Sequence, residues 1–345
     1  MNKKQEALVP VFGALCFFLS AVEFVIPKPL PFLRIGLANV PLMLALDVLP
    51  FRSFLLLACI KIIGQAVISG TLFSYLVLFS AAGTLGAALM MYSLRGISRK
   101  VISFAGISVA GAFVSNILQL CIGRFFIFGK GIWYMVPPFL CIGAVSALLL
   151  GIFCEKFTAE SEWYAQITAG KLCAPVQPVE DYMHAEHPLF RFFAGLLLLT
   201  LLFFSKTLPI QLSILGAALI LCLAEKQKIH PVTMILSSLG IIVCHSFIPI
   251  GRELISIGSF SLTSGALLNG LEKAVFLQSM IFISRWIIQI RIPLPGMIGK
   301  TLEASLYIFK HLLKFKERVR LRNIITGVDE LLLSIPYMVQ QEANL

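Results

Sequence analysis

Charge is scarce in this chain: Asp, Glu, Lys and Arg make up only 13% of its 345 residues, against roughly 25% in an ordinary soluble domain. With 58% hydrophobic residues there is too little polar surface to clothe a water-soluble fold of this length. Acids are scarcer than bases. Only three aspartates occur, Asp47, Asp181 and Asp329, so no paired-aspartate cluster can hold the magnesium ions that diphosphate chemistry requires. The eight cysteines stand singly, mostly inside apolar runs, with no C-x-x-C spacing, and read as small core residues rather than metal ligands. Gly296-Met-Ile-Gly299-Lys300-Thr301 fails as a phosphate loop, because the first glycine of the motif falls on Leu294 and no strand precedes it. No serine, cysteine or histidine constellation suggests hydrolysis, and the first apolar run lacks a small-residue cleavage pattern. These absences argue against an enzyme, a resident metal and a cofactor of its own.

What is present is a series of apolar runs near the roughly 20 residues that a helical bilayer crossing needs. The predicted fold is an all-α, polytopic helical membrane protein. The net charge of +11 is assigned to cytoplasmic loops. Nucleic acid is set aside as a partner, since no soluble basic domain is left to bind it.

Six spans are expected in the first module, residues 1–154: about 8–26, 35–49, 53–69, 72–94, 101–122 and 132–153. Lys3 and Lys4 place the N-terminus inside by the positive-inside bias, and the loop at Arg95, Arg99 and Lys100 agrees. Ala7, Gly13, Ala14 and Ala21 leave one face of the first span thin, a surface for close helix packing. Ala82-x-x-x-Gly86 and Gly83-x-x-x-Ala87 read the same way. The second run holds Pro41, and the sequence leaves open whether it crosses fully or is broken. Residues 155–188 read as a cytoplasmic linker, in which His184 and His187 are solvated rather than metal-bound. Residues 189–284 form a second module of about four spans, and 285–345 a basic cytoplasmic amphipathic region. Arg285 to Arg322 holds nine basic residues, Lys314 and Arg318 among them, with only two acids. Apolar residues recur there at helical spacing, which suits either anionic lipid or a cytoplasmic partner.

The candidate site gathers around Pro27-Lys-Pro-Leu-Pro-Phe-Leu-Arg34, where three prolines in five residues stop a helix. Glu23 precedes it, and Arg34 and Asn39 stand at its far side. Lys61 lies mid-span with Gln65 one turn later on the same face. Such a lysine either pairs internally with Glu23 or Asp47 or faces a cavity for an anionic ligand, and intramembrane charges favour function. Asn116 and Gln119 share a face of the fifth span and suit a binding wall or an interhelical hydrogen bond.

Glu23-Phe-Val-Ile-Pro-Lys-Pro-Leu-Pro-Phe-Leu-Arg-Ile-Gly-Leu-Ala-Asn39, Lys61 with Ser69-Gly-Thr-Leu-Phe-Ser74, and Gly106-Ile-Ser-Val-Ala-Gly-Ala112 leading to Asn116 and Gln119 together resemble the Gx transporter family, often labelled heptaprenyl diphosphate synthase component I. The resemblance covers about residues 5–155 and departs at Ser115, where the family pattern has a histidine. The layout is similar to the six-helix substrate-binding components of energy-coupling-factor transporters. The second half resembles, more loosely, their transmembrane coupling component, with Ser284-Arg285-Trp286 and the basic run in the corresponding place. The resemblance implies a small polar or anionic substrate bound by Glu23, Arg34, Asn39, Lys61, Gln65, Asn116 and Gln119. It also implies coupling through Arg285, Lys314 and Arg318 to cytoplasmic ABC-type ATPase subunits that use the ATP. The family label implies an alternative, a non-catalytic membrane accessory of heptaprenyl diphosphate or quinone metabolism.

Overall fold

In lipid a backbone segment must satisfy its own amides, which leaves helix as the default conformation. The computed structural model describes residues 7–25, 35–97, 102–170, 188–227, 229–248, 251–257, 260–288, 296–314 and 325–333, and most of them are helical. In the first module α1 is Val9–Val25, α2 Val40–Ala45, α3 Phe51–Ser69, α4 Leu76–Ile97, α5 Phe104–Gly123 and α6 Ile132–Glu160. A short α7, Glu162–Thr168, follows. The second module holds α8 (Pro188–Phe204), α9 (Leu208–Ala224), α10 (Pro231–Ser246) and α11 (Ser264–Ile288), and the chain then forms α12 (Gly296–Lys314) and α13 over 325–333. Among the described residues α3, α4, α6, α11 and the stretch Phe104–Phe128 are long and apolar enough to cross a membrane, and α1, α8, α9 and α10 are shorter apolar helices. The chain is a multi-pass membrane protein.

The second run is a broken crossing. Gly13 faces Ile60 and Gly64 faces Phe17, so α1 and α3 run parallel and the chain between them has to return. It does so in pieces. The Ile35 amide meets Glu23 near the end of α1, Asn39 meets Lys61 in mid-α3, and Asp47 meets Arg95 near the end of α4. Between these contacts lie only a 3-10 turn, Leu37–Asn39, and the six residues of α2, all six buried. Gly36, with φ of 93°, and Pro41 in the first turn of α2 account for the interruption. Irregular backbone at membrane depth is tolerated where protein buries it or a cavity takes its polar groups.

The thin face of α1 receives α12. Ser305 sits directly over Gly13, and Phe309 meets Phe17 edge-on at 6.1 Å between ring centres. The amphipathic stretch therefore lays Leu302, Ser305, Ile308 and Leu312 inward and keeps Lys300, Glu303 and Lys310 exposed. The first part of the expected linker is ordered: α6 runs on to Glu160, and α7 buries Trp163, Tyr164 and Ile167. His184 and His187 lie outside the described residues.

Asp329 of α13 ties the chain's far end to this corner. Its carboxylate accepts from Ser161 Oγ and from the amides of Trp163 at 3.1 Å and Glu162 at 3.2 Å. It thus occupies the start of α7, where free amides favour an anion. Asp329→Ala is expected to cost about 2 kcal/mol, the range of hydrogen bonds to a charged group. Thermal unfolding of the purified protein reads this as a lowered midpoint.

One local feature departs from the sequence reading. Between α10 and α11, β1, Glu253–Ile257, and β2, Phe260–Thr263, pair as an antiparallel hairpin. The β-branched run Ile255-Ser-Ile257 followed by Gly258-Ser259 carried that signal, and a hairpin this small leaves the all-α class intact.

Candidate functional site

Helical spacing builds the site from five helices and the broken segment. Lys61, only 3% exposed, projects from the middle of α3 and donates to Asn39 Oδ1. Glu23, 2% exposed, accepts from the Ile35 amide at 2.8 Å, which ties α1 to the start of the broken segment. Asp47, one of the partners the sequence offered to Lys61, is held instead by Arg95 through bonds of 2.8 and 2.5 Å. Arg95 also stacks over Phe104, 4.6 Å from the ring centre.

These groups wall a chamber of about 40 Å³. Glu23, Asn39, Lys61, Gln65, Asn116 and Gln119 all line it, so six of the seven residues expected at the substrate site come together. The seventh, Arg34, lies outside the described residues, as does most of the proline stretch. The volume is a few times the roughly 10–15 Å³ of such space that one water needs. In this form the chamber is small and largely polar.

On α5, Gln119 Nε2 donates to Ser115 Oγ at 3.0 Å, so the serine that replaces the expected histidine holds the amide in place. Gln119 Oε1 is buried and has no hydrogen-bond partner among the described residues. A buried acceptor of that kind calls for a donor from water or a ligand. Two glycines make room for this wall. A methyl group on Gly83 of α4 would overlap Gln119 Nε2, and one on Gly143 of α6 would overlap Asn116 Nδ2. Gly83 had read as packing alone and Gly143 had no reading at all. Their only signal is small size, which every close helix contact shares.

The coupling residues fall elsewhere. Arg285, near the end of α11, lies over Gly70 at the end of α3 and 5.7 Å from the Phe24 ring centre. It lines a second, larger cavity of about 130 Å³ between the two modules. Lys314 ends α12, and Arg318 lies outside the described residues. The two cavities adjoin, since Glu23 and Gln65 line both.

Residues 12–157 match the family described as heptaprenyl diphosphate synthase component I. Residues 187–290 match a domain family of unknown function, DUF8519. Compared with curated proteins and with solved structures, the chain matches none.

Proposed function

We propose that this chain is an integral membrane subunit of an energy-coupling-factor-type importer whose first module binds a small polar or anionic solute. One observation carries the reading: a buried lysine of α3 that reaches across to a broken crossing, in a chamber it shares with the Asn39, Asn116 and Gln119 amides. Intramembrane charge beside interrupted helix is how membrane carriers hold polar cargo. Lys61 supplies the charge for an anionic group, and Asn116 and Gln119 read hydrogen-bonding groups on the rest. The small chamber widens to admit the solute, and the short, irregular stretch from Ile35 to Leu49 is the wall that moves. Transport draws on ATP used by cytoplasmic partner subunits. Both termini face the cytoplasm, the side on which those subunits dock.

Pull-down from native membranes tests the coupling half. ATPase subunits are expected to co-purify, and uptake into membrane vesicles is expected to stop when ATP is replaced by a non-hydrolysable analogue. Recovery of the chain with no ATPase, or uptake indifferent to the analogue, removes the importer reading.

A second reading is favoured by the family description of residues 12–157: a membrane accessory of heptaprenyl diphosphate or quinone metabolism. Under it the chamber holds an isoprenoid diphosphate headgroup, and a separate soluble synthase does the chemistry. Prenyl transfer by a co-purified complex, together with absence of ATP-driven uptake, selects this reading. Neither reading gives the chain catalytic chemistry of its own.

A further inference from the structure

We infer that the cavity between the modules is a second binding site, distinct from the Lys61 chamber, which takes an anion carried on a compact apolar body, with Arg285 as its charge-bearing residue.

A guanidinium drawn into low dielectric needs a counter-charge or it destabilises the fold. Among the described residues no carboxylate lies within ion-pair distance of Arg285. Asp47 is held by Arg95 and Glu225 by Arg191. Glu23 shares the cavity wall, but its Oε1 is tied to the Ile35 amide. What surrounds the guanidinium is aromatic: its carbon stands 5.7 Å from the ring centres of both Phe24 and Phe282. Cation–π contacts orient such a group without neutralising it.

The position is also built. Ser284, the preceding residue, accepts from the Phe73 amide at 2.9 Å, which pins α11 to the turn between α3 and α4. Gly70, at φ of 72°, has no side chain to obstruct the stem of Arg285. Gln278 of α11 donates to Ser237 of α10 at 2.9 Å, closing the other wall. Ser20 Oγ, buried in the α1 wall, has no hydrogen-bond partner among the described residues. A cation and a spare hydroxyl thus share one cavity.

Size and polarity set the ligand class. The space of about 130 Å³ is near the roughly 150 Å³ of an engineered apolar cavity that accepts benzene. Phe24, Ile68, Leu76, Met234 and Ile281 supply an apolar lining. The occupant is therefore a carboxylate or phosphate on a ring-sized or short aliphatic body. Because each module contributes wall, a bound anion also ties the two together, so its binding raises the unfolding midpoint of the full chain.

Phenyl phosphate is the probe, titrated into the full-length protein in a non-ionic detergent, with benzyl alcohol as its neutral counterpart. Phenyl phosphate is expected to bind at least about tenfold more tightly than benzyl alcohol, as a charged hydrogen-bonding partner implies. Arg285→Gln is expected to abolish that preference, and Arg285→Lys, which keeps the charge but loses the fork, to retain part of it. Lys61→Met is expected to leave phenyl phosphate binding unchanged, which separates this site from the first chamber. Repeating the titration in lipid nanodiscs with and without phosphatidylglycerol identifies the source. Competition by that lipid assigns the site to a lipid headgroup, and its absence to a soluble anion. Equal affinity for the two probes in the unmodified protein overturns the proposal whatever the variants do. So does phenyl phosphate binding that Lys61→Met removes and a folded Arg285→Gln retains.

Discussion

Lys61→Met is expected to weaken substrate binding by about ten- to a hundredfold while leaving the unfolding midpoint unchanged or raised. The two effects have opposite signs for one reason. A charged hydrogen bond to a ligand is worth about 1.5–3 kcal/mol, which sets the loss in affinity. Folding, by contrast, has to desolvate the ammonium, a cost that an apolar side chain of similar length removes. Methionine matches the lysine stem and leaves Asn39 Oδ1 without its present donor, a cost of about 1 kcal/mol set against the relieved desolvation. Titration calorimetry and thermal unfolding on one preparation read both quantities. A variant that unfolds early yet binds normally would make Lys61 a structural tie.

The second large effect separates two glycines of α6 that look alike in the sequence. Gly151→Ala places a methyl group against the backbone of α5, where its ideal position lies 2.9 Å from both Ala105 N and Phe104 O. Backbone cannot rotate away, so α5 and α6 must part. Overpacking of this kind costs about 1–3 kcal/mol and sometimes more, and Gly151→Ala belongs at the upper end, with unfolding at markedly lower temperature. Gly143→Ala meets only the Asn116 side-chain amide, which can turn aside. The fold is expected to survive Gly143→Ala, and binding to fall by about tenfold as Asn116 leaves the chamber, the loss of about one good hydrogen bond. Equal stability of the two variants would contradict the packing described for α5 and α6.

The parts of the site legible in the sequence are those that helical periodicity carries. Lys61 and Gln65 at a spacing of four, and Asn116 and Gln119 at a spacing of three, each share a helix face, and the structure brings both pairs to one chamber. Glu23 and Asn39 were legible because polar side chains at membrane depth are costly enough to be informative singly. The break near Pro41 was visible as an ambiguity, resolved only when the parallel course of α1 and α3 required a return path. The role of Gly143 was not legible, since a glycine near an amide carries no local pattern until the neighbouring helix is placed. The cavity between the modules was out of reach for the same reason: His230 and Arg285 each meet Phe24 there across more than two hundred residues of sequence. Arg285, which the resemblance assigns to coupling, lies over Gly70 and lines that cavity, a placement no local pattern announced.

The glycine face of α1 shows the same limit from the other side. Small residues at Gly13 and Ala14 announced a close contact without naming the partner. That partner is α12, almost three hundred residues away, with Ser305 over Gly13. α12 is therefore amphipathic for a packing reason, since α1 covers its apolar face.

The central claim is that a ligand sits between Lys61, Asn39, Asn116 and Gln119. A cryo-electron microscopy map of the full-length protein, purified from its own membrane without exchange of bound solute, tests it most directly. The account predicts non-protein density within hydrogen-bonding distance of Lys61 Nζ and of Gln119 Oε1, with the Ile35 to Leu49 segment displaced outward from its present position. A chamber no wider, Lys61 still on Asn39, and solute density found only elsewhere in the protein would contradict it.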